Sequence, residues 1–283
     1  MRIGTEGVRT QGNGRSGFDY KSKTWGSYIA SKSPFFIGAM RLREALADIE
    51  SVHGKLLEVG CGAGGMTLGI RRYRPELEFY GCDISHSSLA MASIVADGPQ
   101  LSVANAHNLP WPDGFFDSVV LFDVLEHLED PEKALAEVYR VLRPNAVFHL
   151  FVPCEGAWHN MQGILCHLGW QAKREIVGHI QYFDESRIRS MLEATGFAVG
   201  RSRWSGHFLA QVLDVAYVLR LGLSSDRTSV SVESYLAEER KGLVPKILRL
   251  AKDAVALATF AESRLLRGIP GWGIHVACRK LSS

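Results

Sequence analysis

The chain has 283 residues, 46% of them apolar, and a formal charge of +2 from 32 basic and 30 acidic side chains. That length permits one large domain with additions, the apolar share supports a sizeable core, and the near-balanced charge leaves no electrostatic footprint of a nucleic-acid binder, so no nucleic-acid partner is expected. Five cysteines without a paired short spacing argue against zinc knuckles and a disulfide framework, and no apolar run approaches the ~20 residues of a membrane span or the core of a signal peptide, so a reducing cytoplasm is the expected location.

Residues 1–24, rich in Gly, Ser and Arg without periodicity, read as a flexible tail able to order over a ligand. Within 25–53, Ser33-Pro34 supply an N-cap and first-turn proline for a cap helix whose apolar face runs from Phe35 to Ile49. Residues 54–205 then alternate: strand 55–59, helix 65–73, strand 78–82, helix 86–96, strands 101–104 and 118–122, helix 131–142 capped by Asp130 before Pro131, strand 146–152, helix 185–195 capped by Asp184 and stopped by Gly196, and strand 197–204. Such alternation calls for an α/β, doubly wound, mostly parallel sheet with right-handed crossovers. A last strand, 272–280 within 271–283, follows about 67 residues that this core does not need. In that insertion (206–270), segments 207–221 and 243–267 read as helices. The second sets Lys246, Arg249 and Lys252 against Ile247, Leu248, Leu250, Val255 and Leu257, a pattern that fits a helical lid packed on the sheet, a membrane-surface contact or a homodimer interface.

The chemistry concentrates in Leu56-Leu57-Glu58-Val59-Gly60-Cys61-Gly62-Ala63-Gly64 and, sixteen residues further on, Tyr80-Gly81-Cys82-Asp83. An apolar strand running into glycines lets the backbone turn tightly and approach a ligand without a Cβ in the way, and a carboxylate closing the next strand can accept both hydroxyls of a ribose. Gly60-x-Gly62-x-x-Gly65 on its own also fits a nicotinamide- or flavin-binding site.

Further segments make the choice. Asn105-Ala106-His107-Asn108-Leu109-Pro110-Trp111-Pro112-Asp113, Phe115 to Leu128, Val141-Leu142-Arg143-Pro144-Asn145-Ala146 and Thr195-Gly196-Phe197, in this order and with Glu58 two places before the first glycine, resemble class I S-adenosylmethionine-dependent methyltransferases over residues 54–205. Asn105 stands where an Asp is commoner, and Asn145-Ala146 where a Gly-Gly turn is usual. The resemblance implies a seven-stranded Rossmann-like sheet with a helical insertion before the last strand, and S-adenosylmethionine as cofactor. It further implies that the cofactor is held by Glu58, Gly60, Gly62, Gly64, Asp83, Ile84, Asn105, Ala106, Phe122 and Asp123.

It also implies in-line attack of an acceptor nucleophile on the sulfonium methyl, in which alignment does much of the work and a base is needed only for a hydroxyl or a protonated amine. Of ten histidines, His179, in Gly178-His179-Ile180-Gln181-Tyr182-Phe183-Asp184, is the first candidate base; the alternative is that it fastens the loop before the 185–195 helix. His127, at the end of the 118–122 strand, is the second, or else it fixes its turn. Asp123-x-x-Glu126-His127 matches, with Asp in first place, a Glu-x-x-Glu-His cluster that holds a divalent ion in some relatives. Here His149 or His159 would have to complete it, so no metal is assigned. Cys154, in Val152-Pro153-Cys154-Glu155, reads as a buried strand-end cysteine rather than a nucleophile. The expected acceptor is a small molecule, a glycan or a lipid-linked intermediate, methylated on oxygen or nitrogen; a nicotinamide-dependent oxidoreductase or epimerase and a catalytically silent cofactor-binding subunit are the alternatives.

Overall fold

The computed structural model describes residues 29–92, 98–223 and 243–282. The seven strands are β1 (Lys55–Val59), β2 (Glu78–Asp83), β3 (Gln100–Val103), β4 (Phe116–Phe122), β5 (Leu142–Pro153), β6 (Phe197–Ser205) and β7 (Gly273–Lys280). They form one sheet in the order β3-β2-β1-β4-β5-β7-β6. β1 to β5 pair in parallel, and β7 runs antiparallel between β5 and β6. From β1 the chain builds outward to β3, then crosses back to place β4 on the other side of β1. The order therefore reverses between β1 and β4, and a ligand crevice is expected at their carboxyl ends.

Helices cover both faces. On one, Leu135 and Val138 of α4 (Pro131–Val141) and Ile188 and Leu192 of α6 (Glu185–Thr195) pack with Phe116, Phe148 and Leu150. On the other, Leu42 and Ala45 of α1 (Ala39–Asp48) and Ile70 of α2 (Gly65–Tyr73) pack with Leu56, Phe79, Val120 and Phe151. The central strands β1 and β4 are buried on both sides, which is why they read as near-continuous apolar runs rather than alternating ones. Asp130 and Asp184 cap α4 and α6 through the amides of Lys133 and Arg187, both at N3, and Gly196 ends α6 at φ 103°.

Several boundaries differ from the sequence expectation. The cap helix starts at Ala39, not at Ser33. Gly38 adopts φ 86°, and Ser33 instead closes a turn in which its carbonyl accepts from the Phe36 amide and its hydroxyl from the Phe35 amide. The Ser-Pro signal is a real local turn, but the left-handed glycine restarts the chain direction before the helix begins. α3 spans His86–Ala92, and residues 93–96 of the expected helix lie outside the described residues, as does the 1–24 tail. Two elements carry no expectation at all: α5 (Met161–His167), capped by Asn160, and a single π-helical turn (Lys173–Val177) ending on Gly178 at φ 88°. The insertion supplies α7 (Phe208–Leu223) and α8 (Leu243–Leu265).

The cap helix is fastened by charge. Arg203 on β6 lies 2.5 Å from Glu44 and also contacts Asp48; Arg267, after α8, reaches Glu44 at 2.5 Å, and His149 on β5 meets Asp48 at 2.6 Å. Burial opposes ionisation of Asp48, yet His149 and Arg203 hold its carboxyl below the usual range. Removing Arg203 would leave two buried carboxylates short of their cation. Arg203→Ala should lower the unfolding free energy by about 3–5 kcal/mol, read as a fall in the urea midpoint; a shift below about 1 kcal/mol would mean that this cluster is solvated.

Candidate active site

The turn after β1 is shaped by glycine where no other residue serves. Gly60, Gly62 and Gly64 adopt φ of 74°, 52° and 79°, and a Cβ on Gly60 would strike the Val124 side chain. The amides of Gly60 and Cys61 donate to the Cys82 carbonyl at 2.7 and 3.0 Å, tying the turn to the end of β2. There Asp83 accepts from the Gly62 amide and the Ser85 amide, each at 2.8 Å. A carboxylate has about four acceptor sites, so two remain while the amides fix its direction. Next to it, at the end of β2, the Ile84 side chain is 42% exposed. Asn105 closes a tight turn by accepting from the His107 amide, with Ala106 at its tip. Beneath the glycines Glu58 is buried and accepts from the Thr67 hydroxyl; burial raises its carboxyl to about 8, and the charge of Asp83 adds to the rise.

Across the crevice, at the end of β4, Phe122 is buried and Asp123 turns at φ 51° with its carboxylate 3.3 Å from Arg41 of α1. Glu126, in the 3₁₀ turn Leu125–His127, is fully buried, and neither carboxylate oxygen has a hydrogen-bond partner among the described residues. Burial and then the charge of Asp123 push it well above the usual carboxylate range. His127 Nδ1 lies 3.2 Å from the Gly178 carbonyl and so carries the proton, leaving Nε2 4.0 Å from Glu126. Burial lowers His127 to about 3, so its ring is neutral.

His179 packs edge-on against His127, with ring centres 4.8 Å apart, and its Nδ1 is 2.7 Å from Glu155. Glu155 is 2.8 Å from Lys173 Nζ and accepts from Trp272 Nε1 at 3.4 Å, and Lys173 reaches Asp214 of α7 at 2.7 Å. Burial opposes the charge on Glu155, but His179 and Lys173 overcome it and hold the carboxyl well below its usual range. Glu155 and Asp214 likewise overcome burial to keep Lys173 charged. A carboxylate orienting a buried imidazole through Nδ1 is the arrangement of an oriented base.

Residues 57–150 match a family described as a methyltransferase domain. A demethylmenaquinone methyltransferase of Thermus thermophilus is 31% identical over 182 residues, which are 56% of this chain and 82% of that one. The chain is a class I S-adenosylmethionine-dependent methyltransferase. Ajmaline N-methyltransferase of Rauvolfia serpentina is 32% identical over 129 residues, and there the match spans only 44% of either protein. Among solved structures, the [4+2]-cyclase SpnF matches with a TM-score of 0.58 at 19% identity, covering 87% of this chain and 82% of that one. A phosphoethanolamine N-methyltransferase of Haemonchus contortus, solved with S-adenosylhomocysteine, matches with a TM-score of 0.51 at 17% identity over 85% of this chain and 53% of that one. These two likenesses show the fold.

The methyltransferase uses S-adenosylmethionine, and the nicotinamide alternative falls with the family. The residues present fit such a group: a Cβ-free turn, a pre-oriented carboxylate at the end of β2 and the exposed Ile84 converge on one crevice. On the acceptor side, His179 and His127 lie together with Glu126, their potential ligand atoms within 4.8 Å of one another, a set able to receive a divalent ion. The histidines first considered for that set are elsewhere: His149 bonds Asp48 on the α1 face of β5, and His159 bonds the Gly271 carbonyl. Cys154 is fully buried, and burial pushes its thiol well above the usual range. Glu155, next to it, was missed; its only sequence signal is an acid directly after a buried strand.

Asp83→Ala should weaken S-adenosylhomocysteine binding at least about tenfold by calorimetry, through lost hydroxyl contacts and a loosened glycine turn. Undiminished binding would remove Asp83 from the cofactor site. Glu58 gives a pH signature in the ligand-free protein. Its folded pKa of about 8 lies above the ordinary 4.5, so the folded state holds the extra proton and stability falls as pH rises between those values. Glu58→Gln should flatten that decline, worth up to about 1.4 kcal/mol per pH unit in urea unfolding; parallel curves would mean that Glu58 titrates normally.

Proposed function

We propose that this enzyme methylates an oxygen or nitrogen of a small, largely apolar acceptor, with His179 as the base that takes the acceptor proton. The reading is carried by the Glu155–His179 pair, whose imidazole packs against His127 and lies together with Glu126 beyond the carboxyl end of β4. Bound S-adenosylmethionine supplies an electrophilic methyl on sulfur that leaves as a neutral thioether. His179 Nε2 would take the acceptor proton as the acceptor lone pair bonds the methyl carbon and the carbon–sulfur bond breaks toward sulfur. Glu155 fixes the tautomer and steadies the imidazolium that forms. Glu126, whose carboxyl burial and the charge of Asp123 push well above the usual range, can in its acid form donate one hydrogen bond to the acceptor. Gly60, Gly62, Gly64, Asp83, Ile84, Asn105 and Ala106 hold the adenosyl end, with Glu58 beneath them, while Phe122 and Asp123 border the transfer point.

A small apolar acceptor is supported by the relatives named for demethylmenaquinone and ajmaline. A glycan acceptor has no such support. Labelled S-adenosylmethionine with a panel of phenols, quinols and amines tests the reading. Turnover of His179→Asn and Glu155→Gln should fall about 10²-fold or more, with S-adenosylhomocysteine affinity within about threefold of the parent and activity insensitive to EDTA. Parental turnover in His179→Asn would end its role as base. Loss of activity in EDTA that Mg²⁺ or Mn²⁺ restores would instead make Glu126, His127 and His179 a metal site.

A further inference from the structure

α7 is built inside out. Among its inward positions, Gln211 accepts from the Met161 amide at 2.7 Å, and Asp214 meets Gln162 at 2.9 Å and Lys173 at 2.7 Å. Its outward positions are Phe208, Leu209, Val212, Leu213 and Leu219, each 40–65% exposed. Spacings of one, four and five along a helix put them in one stripe, where a water-facing helix carries polar residues. α8 repeats the pattern: Ile247, Leu250, Leu257 and Leu265 fall on one side and are 44–83% exposed. The two helices join where α7 starts, since the Leu209 amide donates to Glu262 and the Gly206 amide to Ser263.

Charge tells what covers them. Arg220, Lys246, Arg249 and Arg264 are exposed on these helices, whereas Asp214, Asp253 and Glu262 are all partly buried. A second copy meeting the same patch would bring like charges together. Residues 1–28 carry five basic and two acidic side chains, so that segment has the wrong sign as well. No helix among the described residues is long and apolar enough to cross a membrane. Apolar stripes flanked by cations on helices that do not span are the pattern of an interfacial contact with anionic lipid.

We propose that the outward faces of α7 and α8 seat the enzyme on an anionic bilayer surface. Since the inner face of α7 holds Lys173, which holds Glu155, the docking face lies directly behind the site. A lipid-dissolved acceptor would then reach a site already at the membrane; that consequence alone rests on the proposed function.

The test needs no turnover. The full chain is floated with phosphatidylcholine vesicles with and without phosphatidylglycerol, at rising salt. Binding should require the anionic lipid and weaken with salt. The pair Val212→Glu and Leu213→Glu should lower it at least about tenfold, and the pair Lys246→Glu and Arg264→Glu should abolish the preference for anionic lipid. Both pairs should keep the parental circular dichroism and S-adenosylhomocysteine affinity. No binding of the parent chain to anionic vesicles overturns the proposal, and so does equal binding by the Val212, Leu213 pair. A parent dimer in light scattering that this pair dissolves overturns it too, making the face an interface between copies.

Discussion

One buried carboxylate organises the acceptor half of this protein. Glu155 is 2% exposed, and an ion so placed costs several kcal/mol unless its partners are fixed. Those partners come from everywhere: Lys173 from the π-helical turn, His179 from the loop after Gly178, Trp272 from the approach to β7 and, through Lys173, Asp214 from α7. A well-packed apolar set could fill the same volume at equal or greater stability. It could not set the direction of the His179 ring. On the proposed function the charge serves the orientation of that ring, and each loop delivers one partner to the same two oxygens.

The opposite face has its own charged node. Glu44 and Asp48 of α1 are closed off by Arg203, Arg267 and His149, drawn from β6, the segment after α8 and β5. Arg41, one turn before Glu44, then reaches over Phe151 to Asp123 at the end of β4. The cap helix is thus held at its far end by the sheet edge and bears at its near end on the transfer point, so its seating and the geometry of Asp123 are one problem.

The cofactor half was open to reading because its determinants are local. The glycine turn, its strand and Asp83 lie within twenty-eight residues, and each demands a residue type by its own backbone geometry. The acceptor half depends on contacts far apart in sequence. Glu155 and His179 are 24 residues apart, with α5 and the π-helical turn between them, neither of which shows a clean period. His149 could have been placed: strand alternation puts it with Val147 and Phe151 on the α1 face, away from Glu126. Gly38 could also have been weighed against Ser33-Pro34. The outward apolar face of α7 could not, since only packing shows that the side carrying Gln211 and Asp214 is the one turned inward.

The insertion leaves and rejoins the sheet at paired residues, Ser205 of β6 opposite Gly273 of β7. Its ends are therefore one strand spacing apart, and because the entropy of closing a loop grows only with the logarithm of its length, the sheet is nearly indifferent to how many residues hang there. Such an attachment makes the insertion an exchangeable cassette as far as folding is concerned. It is not exchangeable as far as reactivity is concerned, since Asp214 travels with it and Lys173 would be left one anion short. On the proposed function and docking face, any lineage that trades this cassette must retune the proposed base in the same step, coupling the surface it docks against to how strongly that base can take a proton.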